Sequence, residues 1–151
     1  MLRQLLVGVI VSACNIAIHA GVMSAVVRVA HKERQRSRPL TGVMLATVSV
    51  LMFAHILEVI VWSLAYVIVD AAPVGADRLY FAFVNYTTLG YGDVIPVERW
   101  RLLGPMTAMN GVLLFGWSTA VIFEVLRRAM MRISPEVAVG YEANGHTRTE
   151  R

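Results

Sequence analysis

The sequence predicts an all-α membrane protein in which three transmembrane helices flank a short re-entrant helix and an irregular loop. Of its 151 residues, 57% are hydrophobic and the mean hydropathy is +0.61, which is too apolar for a soluble domain of this length. Three apolar stretches, at 5–30, 40–69 and 102–125, are each long enough to cross the hydrocarbon core, which takes about 20 helical residues. Between the second and the third lies TTLGYGD, a string unsuited to a spanning helix.

The first apolar stretch belongs to an N-terminal unit, 1–39, which we predict to be one extra transmembrane helix and a basic loop. The string Val11-Ser12-Ala13-Cys14 resembles a lipoprotein cleavage box. The apolar run continues past it to Ala30, however, which a removed signal would not need. Cys14 is the only cysteine, so the chain cannot form an intrachain disulfide.

The lysines and arginines predict how the chain is oriented. The loop at 31–39 carries four of them against one glutamate, and three arginines follow the third span at 127, 128 and 132. The opposite side is nearly balanced in charge. The positive-inside rule therefore places the loop and the C-terminus in the cytoplasm and the N-terminus outside, in an inner or plasma membrane. Because topology explains the basic loop, no nucleic-acid partner is expected. Residues 131–151 are predicted to be a short cytoplasmic tail, poorly ordered from Ser134 onward.

The segment before the third span predicts a re-entrant helix that ends in an irregular strand. Residues 77–87 are compatible with a helix, and Asp77 is placed to cap its N-terminus. Gly90 and Gly92 then allow positive φ at alternating positions without steric cost. Alternating left- and right-handed residues turn successive carbonyls to one side, and such a row of oxygens can replace the water around a dehydrated cation.

The string Thr88-Leu89-Gly90-Tyr91-Gly92-Asp93 resembles the T-V-G-Y-G selectivity filter of potassium channels, in which four subunits contribute rings of carbonyl oxygens. The resemblance covers about 76–127 and implies a homotetramer with a central pore that conducts potassium passively. It implies ion sites at the Thr88, Leu89, Gly90 and Tyr91 carbonyls and the Thr88 hydroxyl, with Gly92 and Asp93 closing the outer mouth. The implied pore domain, 40–130, comprises an outer helix 40–71, a pore helix 77–87, the filter 88–93 and an inner helix 101–128.

The same resemblance assigns roles around the filter. On the inner helix, Gly111 and Gly116 match hinge glycines, Val112, Phe115 and Thr119 would line the cavity, and Phe123 would lie at the inner constriction. Behind the filter, Thr87, Tyr80 and Phe81 are expected to brace it, and the last two stand where the family often has tryptophans. Leu89 replaces the usual β-branched residue, so the filter is expected to be less stiff.

Polar side chains inside the spans form a second candidate site. His55 and Glu58 are three residues apart, hence on one helix face, and His19 and Asn15 lie at a similar depth on the first span. The inner helix offers Asn110, Trp117 and Ser118 as partners. Three interpretations stay open: structural hydrogen bonds, a proton-sensing His/Glu pair, and a metal site, which has few ligands here.

We therefore expect a potassium channel rather than an enzyme, since no catalytic constellation is visible. No cofactor is expected, and the only metal ion expected is potassium at the filter. The expected partners are further copies of the chain, the lipid bilayer and K⁺. A weakly selective monovalent cation channel, or a non-conducting membrane subunit that retains a filter-like loop, are the alternatives.

Overall fold

The structure, a computed structural model, describes residues 1–32 and 39–146, with side chains for 1–29 and 39–131. Four α-helices follow one another: α1 (Leu2–Lys32), α2 (Leu40–Val69), α3 (Arg78–Tyr86) and α4 (Leu103–His146), with a 3-10 turn at Glu98–Trp100 before α4. The described residues contain no strand, which confirms the all-α class. Most of the predicted basic loop, 33–38, lies outside the described residues.

Three of the helices are long and apolar enough to cross a membrane. They cover Leu2–Val29, Leu40–Val69 and Glu98–Met131, which confirms the three predicted spans. The fourth helix, α3, has nine residues and a strongly one-sided apolar face, so it is too short to cross.

The predicted re-entrant helix forms as α3, and its N-terminal cap is the one expected. The Asp77 carboxylate accepts hydrogen bonds from the backbone N–H groups of Leu79 and Tyr80, at 2.9 and 3.1 Å. These bonds satisfy two of the donors that a helix start leaves without partners. Further along, the Val97 N–H donates to the Ala71 carbonyl at 2.9 Å, so the chain after the loop returns beside the end of α2.

The helices pack so that α1 contacts both α2 and α4, while α3 lies against α2 and α4. The core around α3 consists of large buried side chains, chiefly Trp62, Tyr66, Phe81, Tyr86 and Leu103. Gly8 allows α1 to pack tightly against α4, because a Cβ there would lie 2.3 Å from the sulfur of Met106. The first helix is therefore an integral part of the packed subunit.

The inner helix is longer than predicted. The sequence suggested a helix over 101–128 and a poorly ordered tail from Ser134, but α4 continues to His146. The prediction of disorder is therefore wrong for 134–146, while 147–151 lie outside the described residues. Extending an existing helix adds one hydrogen bond per residue and avoids the cost of nucleating a new helix. This gain outweighs the tendency of the polar composition to leave the segment unfolded.

Candidate functional site

The loop after α3 has an alternating backbone. Thr88, Gly90 and Gly92 have φ of 60°, 59° and 79°, so every second residue is left-handed. A left-handed φ has no steric cost for glycine, but it raises the conformational energy of a threonine by about 1–2 kcal/mol. Such strain persists only where the surroundings fix the chain, and alternation of this kind directs successive carbonyls to one side.

Hydrogen bonds to the end of α3 hold the start of this loop. The N–H of Thr88 donates to the Asn85 carbonyl at 3.1 Å, and that of Leu89 donates to the Val84 carbonyl at 3.0 Å. The Thr87 hydroxyl donates to the Phe83 carbonyl at 2.7 Å. The Thr88 hydroxyl donates to the Thr87 carbonyl at 2.6 Å, which leaves its oxygen lone pairs able to accept or to face a cation.

At the outer end of the loop, Tyr80 contacts Asp93. The tyrosine hydroxyl donates to Oδ2 of Asp93 at 2.7 Å, which ties the first turn of α3 to the residue after Gly92. This hydrogen bond and the negative charge of Asp93 raise the pKa of Tyr80, because both disfavour the phenolate. The predicted brace Phe81 is instead fully buried, with its ring 4.9 Å from that of Tyr66. Whether it also supports Tyr91 stays a prediction.

Predicted cavity positions on α4 fall on one helix face, with one exception. At 100° per residue, Val112, Thr119 and Phe123 lie within about 40° of arc, and all three are exposed in the single chain. Phe115 lies at the edge of this face, with its ring 4.6 Å from His55 and 5.4 Å from Tyr86. Phe115 therefore packs against His55 and Tyr86 as well as lying beside the predicted cavity face.

The two predicted hinge glycines differ in their surroundings. A Cβ on Gly111 would lie 2.1 Å from the carbonyl oxygen of Tyr86, whereas a Cβ on Gly116 would meet nothing within 4 Å. The α4 helix is continuous through both. Gly111 therefore has a packing reason to be glycine, and bending at either residue stays a prediction.

Behind the loop, five side chains from all four helices form a buried polar cluster: His19, His55, Glu58, Tyr86 and Ser118. Nδ1 of His19 lies 2.7 Å from Oε1 of Glu58, and Nδ1 of His55 lies 3.0 Å from Oε2. The Tyr86 hydroxyl donates a short hydrogen bond to the same Oε2. His19 and Glu58 are 0% exposed. The structure thus brings together the three residues that the sequence indicated.

Tyr86 was missed by the sequence analysis. Its position just before TTLGYGD marked it only as part of α3. The available signal was chemical, since a tyrosine on an apolar helix face needs a partner for its hydroxyl when it is buried.

A second set of hydrogen bonds extends the cluster toward the N-terminal ends of α1 and α4. Nδ2 of Asn15 donates to the Glu58 backbone carbonyl at 3.2 Å and to Oδ1 of Asn110 at 3.1 Å. The indole N–H of Trp62 donates to the same Asn110 oxygen at 3.0 Å. These bonds connect α1, α2 and α4 through buried side chains.

Within the described residues, the atoms best placed for a metal are those of His19, His55 and Glu58, within 4.8 Å of one another. Both imidazole Nδ1 atoms, however, face carboxylate oxygens at hydrogen-bond distance, 2.7 and 3.0 Å. A metal requires the nitrogen lone pairs to aim at the ion. The geometry favours N–H donors and a carboxylate acceptor.

Residues 54–128 match the protein-family model described as an ion channel. The matched segment begins in α2, includes α3 and the TTLGYGD loop, and ends in α4, without α1. No curated protein and no solved structure matches the chain.

Proposed function

We propose that the chain, whose residues 54–128 match an ion-channel family model, is a potassium-selective channel with a pore formed by four copies. The observation that carries the proposal is the alternation of left-handed residues at Thr88, Gly90 and Gly92, directly after a short helix between two spans. In the sequence T-L-G-Y-G this backbone supports rings of carbonyl oxygens that replace the hydration shell of K⁺.

The exposure of the loop supports an assembly of several copies. Every residue from Thr87 to Asp93 is exposed in the single chain. Non-helical backbone at membrane depth is tolerated only where protein covers it or water lines it. Because one strand cannot surround an ion, four copies around a central axis would satisfy both requirements, with Val112, Thr119 and Phe123 facing the water-filled cavity.

The short helix contributes to the electrostatics of this pore. The C-terminal end of a helix carries a partial negative charge, and α3 ends at Tyr86, immediately before the filter. In the proposed assembly four such ends would stabilise a cation in the cavity. The proposed orientation, with the N-terminus outside and the C-terminus in the cytoplasm of an inner or plasma membrane, places the Tyr80–Asp93 contact at the outer mouth.

The test is the reversal potential of the purified protein in a bilayer with potassium on one side and sodium on the other. We expect a value near the potassium limit, and its loss in Gly90→Ala, because alanine disfavours a φ of 59°. Gly75→Ala is the matched control, since Gly75 has a φ of 82° outside the filter. A reversal potential near zero would indicate a weakly selective cation channel. Absence of current from a protein that is also not tetrameric would refute the channel.

A further inference from the structure

With Glu58 ionised and both imidazoles neutral, the cluster of His19, His55, Glu58, Tyr86 and Ser118 has more acceptors than its donors can satisfy. We propose that it is a proton-binding site: Glu58 is ionised and one extra proton is shared by the two imidazoles through Ser118. This inference does not rest on potassium selectivity, because only the hydrogen-bond geometry of the cluster supports it.

Both Nδ1 atoms face oxygens of Glu58. Oε1 faces Nδ1 of His19 at 2.7 Å, and Oε2 faces both the Tyr86 hydroxyl and Nδ1 of His55, the latter at 3.0 Å. Nδ1 of His55 also lies 2.9 Å from the Tyr86 hydroxyl oxygen. An unprotonated Nδ1 would place a nitrogen lone pair against a carboxylate oxygen unless that oxygen carried a proton, and the imidazole, as the stronger base, would take that proton. Both imidazoles therefore carry hydrogen on Nδ1, and three donors converge on one carboxylate, which favours its ionised form.

The two Nε2 atoms, on the opposite side of each imidazole, face the same serine hydroxyl. Nε2 of His55 lies 2.9 Å from Oγ of Ser118, and Nε2 of His19 lies 3.5 Å from the same oxygen. In two neutral imidazoles with hydrogen on Nδ1, both Nε2 atoms are acceptors, but the serine has only one proton to donate. One buried acceptor would then have no partner, at a cost of about 1–3 kcal/mol.

One added proton gives every atom of the cluster a partner. If one Nε2 is protonated, it donates to Oγ of Ser118, and the serine donates to the other Nε2, so that every atom of the cluster has a partner. The same proton neutralises the charge of Glu58, which is 0% exposed inside a membrane-spanning helix. An imidazole is a stronger base than a carboxylate, so the proton lies on histidine. The hydrogen bonds of the cluster and its charge balance therefore both require one added proton.

Aromatic rings around the two histidines suit a cation. The Trp117 ring lies 5.2 Å from that of His19, and the Phe115 ring lies 4.6 Å from that of His55. Rings within about 6 Å stabilise a positive charge through their π faces. The groups that face the proton are His19 from α1, His55 and Glu58 from α2, Tyr86 from α3, and Ser118 from α4.

The site links α1 to the helix that precedes the filter. Tyr86 is the last residue of α3 and stands two residues before Thr88. Loss of the proton would leave a net negative charge and an unsatisfied nitrogen behind the filter. The bound proton is therefore a structural ligand that joins the first helix to the support of the loop.

The test counts imidazolium ions by ¹⁵N solid-state NMR of histidine-labelled protein in lipid bilayers, prepared with a chelator. His31 and His146 are replaced by Gln, so that two of the four histidines remain. At about pH 8 an imidazole in water is almost entirely neutral. We expect one imidazolium and one neutral imidazole per chain. Two neutral imidazoles, or two imidazolium ions, would overturn the proposal.

Glu58→Gln is the matched variant. The amide oxygen can still accept from Nδ1 of His19. The amide NH₂ can donate to the Tyr86 hydroxyl oxygen, whose proton can go to Nδ1 of His55 at 2.9 Å, so neutral imidazoles then satisfy every partner. We expect the imidazolium signal to disappear. Its persistence in a folded variant would contradict the assignment. The spectrum of the parent protein decides the proposal by itself if this variant does not fold.

Discussion

Gly111, in the third turn of α4, lies against the backbone carbonyl of Tyr86, at the end of α3. A Cβ at this glycine would come within 2.1 Å of the carbonyl oxygen, and within 3.0 Å of the carbonyl carbon. Because backbone cannot move aside as a flexible side chain can, the contact sets how closely the inner helix approaches the loop that follows Tyr86. The proposed cavity and the proposed filter adjoin at this contact.

Gly111→Ala is therefore expected to destabilise the protein. Overpacking a tight contact costs about 1–3 kcal/mol, and here the displaced group is the backbone that leads into the TTLGYGD loop. Thermal unfolding of the detergent-solubilised protein measures the effect. The control is Gly116→Ala, where an added Cβ meets open space and a helical alanine is favoured over glycine. Equal stability of the two variants would contradict the close approach.

Removal of the Tyr80 hydroxyl should loosen the outer mouth. Tyr80→Phe loses the 2.7 Å hydrogen bond to Asp93 while it keeps the ring. We expect currents that decay faster during sustained opening, measured in bilayers. Tyr91→Phe is a control that tests whether any tyrosine hydroxyl near the loop has the same effect.

The Tyr80–Asp93 contact also predicts a pH dependence. The pKa of Tyr80 is raised in the folded protein, so the contact contributes its full stability below the ordinary tyrosine value of about 10 and loses it as pH rises through the raised pKa. Currents of the parent should therefore begin to decay faster only above about pH 10, where Tyr80→Phe should show no such change. The same alkaline change in Tyr80→Phe would exclude Tyr80 as its source.

His19→Ala is expected to destabilise the subunit strongly. In the proposed site Glu58 and the imidazoles form a buried charged group, and removing one partner of such a group costs about 3–5 kcal/mol, because the other is left without compensation. Nδ1 of His19 lies 2.7 Å from Glu58, and both residues are fully buried. Unfolding by added SDS, followed by tryptophan fluorescence, measures the loss. Cys14→Ala, an exposed position on the same helix, should change little.

The sequence predicted features that depend on helix periodicity and on local chemistry. Spacing and depth placed His55, Glu58 and His19 at one level, and Asp77 was predicted as a cap because an aspartate there needs only its own helix start. Features that depend on how a helix is rotated were not predictable. The rotation of α3 turns Tyr86 toward Glu58 and Phe81 toward Tyr66, and only packing against α2 and α4 determines it.

The face of α4 that lines the cavity can be mapped with single cysteines, because Cys14 is the only native thiol and Cys14→Ser removes it. In that background Val112→Cys and Phe123→Cys should be modified by a charged thiol reagent added from the cytoplasmic side, with loss of current. Leu113→Cys is the matched control, since Leu113 is as exposed in the single chain as Val112, at 61% and 55%, but points about 100° away. In a tetramer that side faces a neighbouring chain or lipid, so the current should persist. Block through Leu113→Cys with none through Val112→Cys would mean that a different face of α4 lines the pore.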